Sequence, residues 1–220
     1  MKEDLQTHFE NGFFINTQNA NFHFEVFELI ASEHQSIKML KEEEQALFVY
    51  LQHSAEIQLM LNLSKCFEKV DPRNPNRSIN TFHKKYKNSI KEVKIDLQKA
   101  SIETFRTTPY LTEKQYQCNT LGEFLTKSLE IKEEKFGSLM KDIKTYRDKF
   151  IAHNEIHQGL NVNKKKTSEL IEFNKSIIYV IGYYLFEAHY VTTQNNKFLG
   201  GTIDRKTTFI KLLLEEKCLK

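Results

Sequence analysis

The chain contains little glycine, proline or cysteine, and each shortage excludes a class of protein. Only 7 Gly and 3 Pro occur among 220 residues, which argues against a β-sandwich and against a disordered chain. The three cysteines are far apart in the sequence, so neither a disulfide framework nor a zinc site is expected: Cys66, Cys118 and Cys218. The longest apolar run, Ile177 to Phe186, is much shorter than the ~20 residues that span a bilayer. The first residues also lack the apolar stretch of a secretory signal. We therefore expect a soluble, cytoplasmic protein without a membrane partner.

The residues that are present favour a helical protein. Hydrophobic residues make up 40% of the chain and charged residues 28%, with a net charge of +3. Apolar positions recur at helical spacing, and no run alternates with the period of two that strands need. The predicted fold class is all-α: a helical bundle with long antiparallel helices and peripheral short helices. Its central helices are expected near residues 42–70, 121–153 and 168–190.

Composition also suggests three regions along the chain. Residues 1–20 are rich in Asn and Gln and are predicted to form a loosely ordered N-terminal arm. Residues 21–192 hold the helical bundle, and 193–220 form a C-terminal tail with a short amphipathic helix near Thr208 to Glu215. The bundle is the expected folded domain.

Capping signals place the starts of several helices. Ser78 can cap a short basic helix through Tyr86. Capping boxes, in which a Ser or Thr is followed three residues later by Glu or Gln, occur at three places: Ser89 to Glu92, Thr112 to Gln115, and Thr120 to Glu123. The third box begins the long helix of the bundle. Residues 154–166 are predicted to be a loop, with Thr167 or Ser168 capping the last long helix.

The most informative segment lies near the end of the long helix and contains Arg147, Asp148 and His153. One narrow apolar stripe runs along this helix: Leu139, Ile143, Tyr146 and Phe150. On an ideal helix Arg147 lies about 70° to one side of the stripe and His153 about 50° to the other, and Asp148 points away from it. The two side chains thus differ by about 120°, so a single ideal helix does not bring them together.

Two arrangements would bring the arginine and the histidine into one site. Either the helix loosens near Ala152 and turns His153 inward, or two copies of the segment face each other across a symmetric dimer. We favour the dimer, because both side chains border the surface that such a dimer would bury. A guanidinium holds a phosphate and an imidazole exchanges a proton near neutral pH, so together they suffice to cleave RNA without a metal. The plainer alternative is a structural histidine beside an arginine that stabilises the helix end.

The order Arg147, Asp148, then His153 resembles the Rx4–6H signature of the HEPN superfamily of helical ribonucleases and nucleotide-binding modules. The surrounding Tyr-Arg-Asp-Lys-Phe-Ile-Ala-His sequence is most similar to the abortive-infection branch. The resemblance implies a metal-independent endoribonuclease that acts as a homodimer in antiviral defence or as a toxin. It implies that His153 is the general acid or base, that Arg147 stabilises charge on the phosphate, and that Asp148 supports the site. A non-catalytic helical module that dimerises, or that binds a nucleotide or another protein, is the alternative.

Other groups of side chains suggest weaker sites. Lys164, Lys165 and Lys166 can steer RNA phosphates, and a second basic set has the same potential: Arg73, Arg77, Lys84, Lys85 and Lys87. His53 and Glu56 lack a convincing third ligand, so neither a metal nor another cofactor is expected. The expected partners are RNA, a second copy of the chain, and a cognate antitoxin or other regulatory protein.

Overall fold

The computed structural model describes residues 2–69, 76–100, 111–151, 163–188 and 190, and these ranges contain no strand. Nine α-helices occur within them: α1 (Lys2–Phe9), α2 (Ile15–Ser32), α3 (His34–Lys38), α4 (Glu42–Cys66), α5 (Ile79–Ile90), α6 (Leu97–Ala100), α7 (Glu113–Tyr116), α8 (Leu121–Tyr146) and α9 (Lys164–Ile181). Three π-helical segments join or extend them: Glu10–Phe14, Arg147–Ile151 and Gly182–Phe186. The predicted all-α bundle is confirmed.

The first residues are helical and buried, which corrects the prediction of a loosely ordered arm over residues 1–20. Leu5, Phe9 and Phe13 follow one another at steps of four, and at most 4% of each is exposed. The ring centroid of Phe9 lies 5.6 Å from that of Phe82 in α5 and 5.6 Å from that of Tyr190. The Asn and Gln residues scattered through residues 1–20 obscured this amphipathic helix.

Helices α1, α5, α8 and α9 belong to one compact unit, Met1–Thr17 with Leu61–Tyr190. Ser78 caps α5 as predicted, and its side chain accepts a hydrogen bond from the Thr81 amide. The helix kinks at Tyr86, where it was predicted to end, because the backbone there is non-helical (φ −107°, ψ 15°), and helical structure then continues to Ile90. Ser89 does not open a new helix. Tyr86 and Ile90 continue the buried face of α5, so tertiary packing overrides the local capping signal. The chain turns only after Ile90.

The Thr120 capping box begins α8 as predicted. The Glu123 amide donates to Thr120 Oγ1 at 3.2 Å, and the Thr120 amide donates to Glu123 Oε2 at 3.2 Å. Thr112 likewise precedes α7, with Gln115 accepting from its amide at 3.0 Å. Both boxes satisfy backbone donors that a helix start leaves free.

Helix α9 begins earlier than predicted, at Lys164. Asn163 is its cap, and its side chain accepts from the Lys166 amide at 3.0 Å. Thr167 is fully buried inside the helix and is therefore not the cap. The helix continues into the π-helical segment and ends where Glu187 adopts a left-handed conformation. The predicted C-terminal tail, residues 193–220, lies outside the described residues.

The second compact unit contains Gln18–Met60 among the described residues. Helices α2, α3 and α4 contact one another there through Ile30, Ile37 and Phe48, with Val26 and Leu40 packed against them. Helix α4 begins at Glu42, as predicted, and ends at Cys66. Within the ranges given above, no helix is both long and apolar enough to cross a membrane.

Candidate active site

Arg147 directly follows the last α-helical residue of α8, and the apolar stripe fixes its place. Leu139, Ile143 and Tyr146 are 4%, 0% and 1% exposed, so the predicted stripe is confirmed at these positions. They hold the end of α8 in the core. The Arg147 side chain, next to Tyr146, is 28% exposed and can reach both protein partners and solvent.

Two carboxylates hold the Arg147 guanidinium. Its Nη1 lies 3.0 Å from Glu68 Oε1, while Nη2 and Nε lie 2.7 Å and 2.8 Å from Asp148 Oδ1. A guanidinium is planar, so contacts at three of its nitrogen atoms fix its orientation. Asp148 was predicted to point away from the stripe and to support the site. Its side chain is half-exposed, and it holds the arginine directly.

Glu68 is the residue that sequence reasoning missed. It follows the buried Phe67 just beyond the end of α4, and the α5 region fixes its backbone. Ser78 Oγ and Asn80 Nδ2 donate to the Glu68 carbonyl at 2.7 Å and 3.3 Å. Glu68 and Arg147 are 79 positions apart in the chain, and no local pattern links them. Only the folded bundle brings them together.

The helix changes form at the motif, where Arg147–Ile151 is π-helical. Hydrogen bonds in a π-helix close over five residues instead of four, which widens the turn and alters the direction of each side chain. The ideal-helix angle of about 120° between Arg147 and His153 therefore does not apply. The helix loosens earlier than the position near Ala152 considered from the sequence. His153 itself lies outside the described residues.

The three lysines predicted to bind RNA occupy the first turn of α9. Lys164, Lys165 and Lys166 are all exposed, which corrects their assignment to a loop. Cations are unfavourable at a helix N-terminus, where the backbone dipole is positive. An anion held at this turn would offset the positive charge of the lysines and the positive end of the helix dipole. The contacts described for Arg147 are with Glu68 and Asp148 and involve none of these lysines.

Two further observations bear on the chemistry of the described residues. Within the described part of the chain, no three His, Cys, Asp or Glu side chains lie close enough to hold a metal ion. His53 Nδ1 lies 3.7 Å from Glu56 Oε2. Cys66 and Cys118 are free thiols, and burial raises the pKa of Cys66 to about 12. Its thiolate is therefore scarce at neutral pH, and Cys66 is a poor nucleophile.

Comparison with known proteins identifies the family. The model of the HEPN family AbiU2 matches residues 2–194, a range that includes Glu68, Arg147, Asp148 and His153. A search of curated proteins and a search of solved structures found no match. The family match extends over most of the chain and agrees with the all-α bundle. The chain therefore belongs to the AbiU2 family of HEPN proteins.

Proposed function

We propose that this protein is a metal-independent endoribonuclease of the HEPN type, with Arg147 and His153 forming a composite site between two copies of the chain. The observation that carries the proposal is the fixed guanidinium of Arg147, which Glu68 and Asp148 orient at the end of α8. An arginine held in this way is prepared to bind a phosphate that approaches its remaining N–H groups.

The proposed reaction needs one proton carrier and one fixed positive charge. His153 removes the proton from the ribose 2′-OH or delivers a proton to the departing 5′-oxygen, and water carries the other proton. The 2′-oxygen attacks phosphorus, the bond from phosphorus to the 5′-oxygen breaks, and Arg147 stabilises the negative charge on the phosphate. The products are a 2′,3′-cyclic phosphate and a free 5′-hydroxyl. Both catalytic groups are side chains of the protein, so the reaction proceeds without a metal ion.

The remaining parts of the proposal concern partners. A second copy supplies the group that each site lacks, and Lys164, Lys165 and Lys166 bind the RNA backbone at the start of α9. Such a nuclease acts in antiviral defence or as a toxin, where a cognate antitoxin or other regulatory protein restrains it. Membership of the AbiU2 family supports this context.

The ion pairs of Arg147 with Glu68 and Asp148 also favour a second function. The two carboxylates on Arg147 form an ion-pair network of the kind that stabilises helix packing, and this network offsets the charge that a phosphate would need. A non-catalytic HEPN module that dimerises, or binds a nucleotide or a partner protein, fits that network. The two functions differ in whether RNA is cut.

The test compares RNA cleavage by the wild type with that by His153→Ala and Arg147→Ala. Loss of the general acid or base costs on the order of 10²–10⁴ in rate, and loss of the charge on the phosphate costs a comparable factor. Cleavage by the wild type should survive excess EDTA and leave 2′,3′-cyclic phosphate ends. Lys141→Ala, an exposed change on the same helix, is the control and should cut normally. No cleavage by the wild type on any RNA, or full activity of a folded His153→Ala variant, would favour the module.

A further inference from the structure

A basic cleft lies at the N-terminal end of α8, far along the helix from Arg147. Helices α5 and α7 and the first turns of α8 form its walls, and its volume is about 630 Å³. The side chains that define the cleft are cationic or polar: His83, Lys87, Lys91, Lys114, Thr126 and Lys127. Pockets of roughly 300–1,000 Å³ are typical for small-molecule ligands, so this cleft is large enough for a nucleotide.

Its charge balance is positive, and the acidic side chains are already engaged. Four lysines and two glutamates line the cleft, which gives a formal charge of +2 with the histidine neutral. Glu123 Oε2 accepts from the backbone amides of Asn119 and Thr120 at 2.9 Å and 3.2 Å. Glu130 pairs with Lys127 at 2.6 Å. Neither carboxylate therefore competes strongly for the other lysines.

Of the four lysines, Lys127 is paired, Lys91 is weakly paired, and the other two form no ion pair with a described residue. Lys91 has a long contact of 3.7 Å with the exposed Glu92, and such surface pairs contribute little. Lys87 and Lys114 line the same cleft without an ion pair in the described part of the chain. Ammonium groups that face one cavity repel one another, and a bound anion would relieve that repulsion.

His83 adds a polar group whose protonation can be inferred. Thr126 Oγ1 donates to the Gly122 carbonyl at 2.9 Å, so its hydroxyl proton is already used. His83 Nε2, 3.2 Å from the same Oγ1, must then donate to it, which leaves Nδ1 as an acceptor. Burial and the nearby charge of Lys87 lower the pKa of His83, so the ring is neutral at pH 7. A bound anion would raise that pKa, because negative charge favours the imidazolium.

The lining also indicates which part of a ligand the cleft recognises. No Phe, Tyr or Trp is among the described residues that line it, and the ring of His83 is held by Thr126, so the cleft offers little aromatic surface on which a base could stack. Lysine ammoniums act as point charges that bind phosphate oxygens from several directions. The cleft therefore fits a phosphate ester better than a base or a sugar.

We propose that this cleft binds the phosphate groups of a nucleotide, either free or as part of an RNA strand, at a site separate from Arg147. The residues of α8 that line the cleft lie between Gly122 and Glu130, and a helix rises about 1.5 Å per residue, so they lie roughly 25–40 Å from Arg147 along the helix. One phosphate group cannot contact both. The cleft site does not depend on the proposed nuclease, and either can be wrong without the other.

The experiment measures binding to the full chain of three probes at low salt: inorganic phosphate, ATP and a short single-stranded RNA. The cleft variant is Lys87→Gln with Lys114→Gln. The matched control is Lys135→Gln with Lys141→Gln, which removes the same charge from exposed positions of α8 outside the cleft. The cleft variant should weaken binding of at least one probe by about tenfold or more, because it loses two charge-assisted contacts. The control should change affinity less than about twofold.

A second readout locates the ligand. The imidazole signals of His83, followed by NMR, should shift on titration, and the pKa of His83 should rise. Preference for RNA over ATP identifies a strand as the ligand, and the reverse identifies a free nucleotide. The proposal is overturned if no probe binds, if both double variants lose affinity equally, or if His83 does not respond.

Discussion

Arg147 carries a planar guanidinium, so its contacts decide what it can bind. Asp148 holds two of its nitrogen atoms from the adjacent position, and Glu68 holds a third from another part of the bundle. These ion pairs are partly exposed and contribute little to the free energy of folding. Their effect is geometric, because they limit the directions in which the guanidinium can point.

Removal of Glu68 should therefore affect catalysis more than stability. We expect Glu68→Ala to lower the free energy of unfolding by about 1 kcal/mol or less. RNA cleavage should fall by about 10-fold to 100-fold, because the guanidinium is misplaced. Glu68→Gln, whose amide oxygen can still accept from Nη1, should recover most of the rate. The effect should lie in kcat and not in KM.

The control is Glu133→Ala, which removes an exposed carboxylate paired with Lys132 and should leave cleavage unchanged. If Glu68→Ala cuts RNA at the wild-type rate, Glu68 does not position the arginine.

A buried amide on α9 provides a second test at this scale. Asn174 is fully buried, and neither of its side-chain polar atoms has a hydrogen-bond partner in the structure. A buried polar group without a partner costs about 1–3 kcal/mol. Asn174→Leu should thus leave the melting temperature unchanged or raise it.

Ser128→Ala should have the opposite effect. Ser128 Oγ donates to the Phe124 carbonyl at 2.7 Å and accepts from Gln115 Nε2 at 2.8 Å, so its loss leaves a buried donor unpaired. We expect a decrease of about 1–3 kcal/mol in stability. A strong loss of stability in Asn174→Leu would show that the amide has a partner, such as a buried water.

At the scale of elements, the π-helical segments mark places where packing overrides the regular helix. Gly12 lies in the segment Glu10–Phe14, and a Cβ at this position would lie 2.1 Å from the Arg77 carbonyl oxygen. Because that oxygen belongs to the backbone, it cannot move away cheaply. Close approach of these two segments requires glycine.

Two glycine substitutions should therefore act in opposite directions. Gly12→Ala should lower stability by about 1–3 kcal/mol through overpacking. A Cβ at Gly137 in α8 would meet only side-chain atoms of Glu133, the nearest an oxygen at 3.2 Å. Gly137→Ala should raise stability by about 0.5–1 kcal/mol, because alanine is the better helix former. Thermal unfolding of both variants measures the difference. Equal effects would contradict the close contact with Arg77.

The sequence predicts elements well where the signal is local. The Thr120 box starts α8 because its hydrogen bonds involve residues within one turn. The same kind of signal at Ser89 fails, because Ile90 continues a buried face that extends across it. Leu5, Phe9 and Phe13 carry a helical pattern that the composition of the segment obscured. The role of Glu68 could not be predicted from the sequence, because its contact with Arg147 depends on how distant segments pack.

At the scale of the whole molecule, the account depends on assembly. The family match supports a HEPN bundle, and the proposed site is complete only when a second copy contributes its histidine. Light scattering at micromolar concentration should give the mass of a dimer, and Arg147→Ala and His153→Ala should remain dimeric. A monomeric wild type would remove the composite site.

Mixing the two inactive variants tests the central claim most directly. Arg147→Ala and His153→Ala are combined in equal amounts, allowed to exchange subunits, and assayed for RNA cleavage. Half of the dimers are then mixed, and each holds one intact site with Arg147 from one copy and His153 from the other. The account predicts recovery of about one quarter of the wild-type rate. If subunits exchange and cleavage does not return, Arg147 and His153 do not form a site between copies.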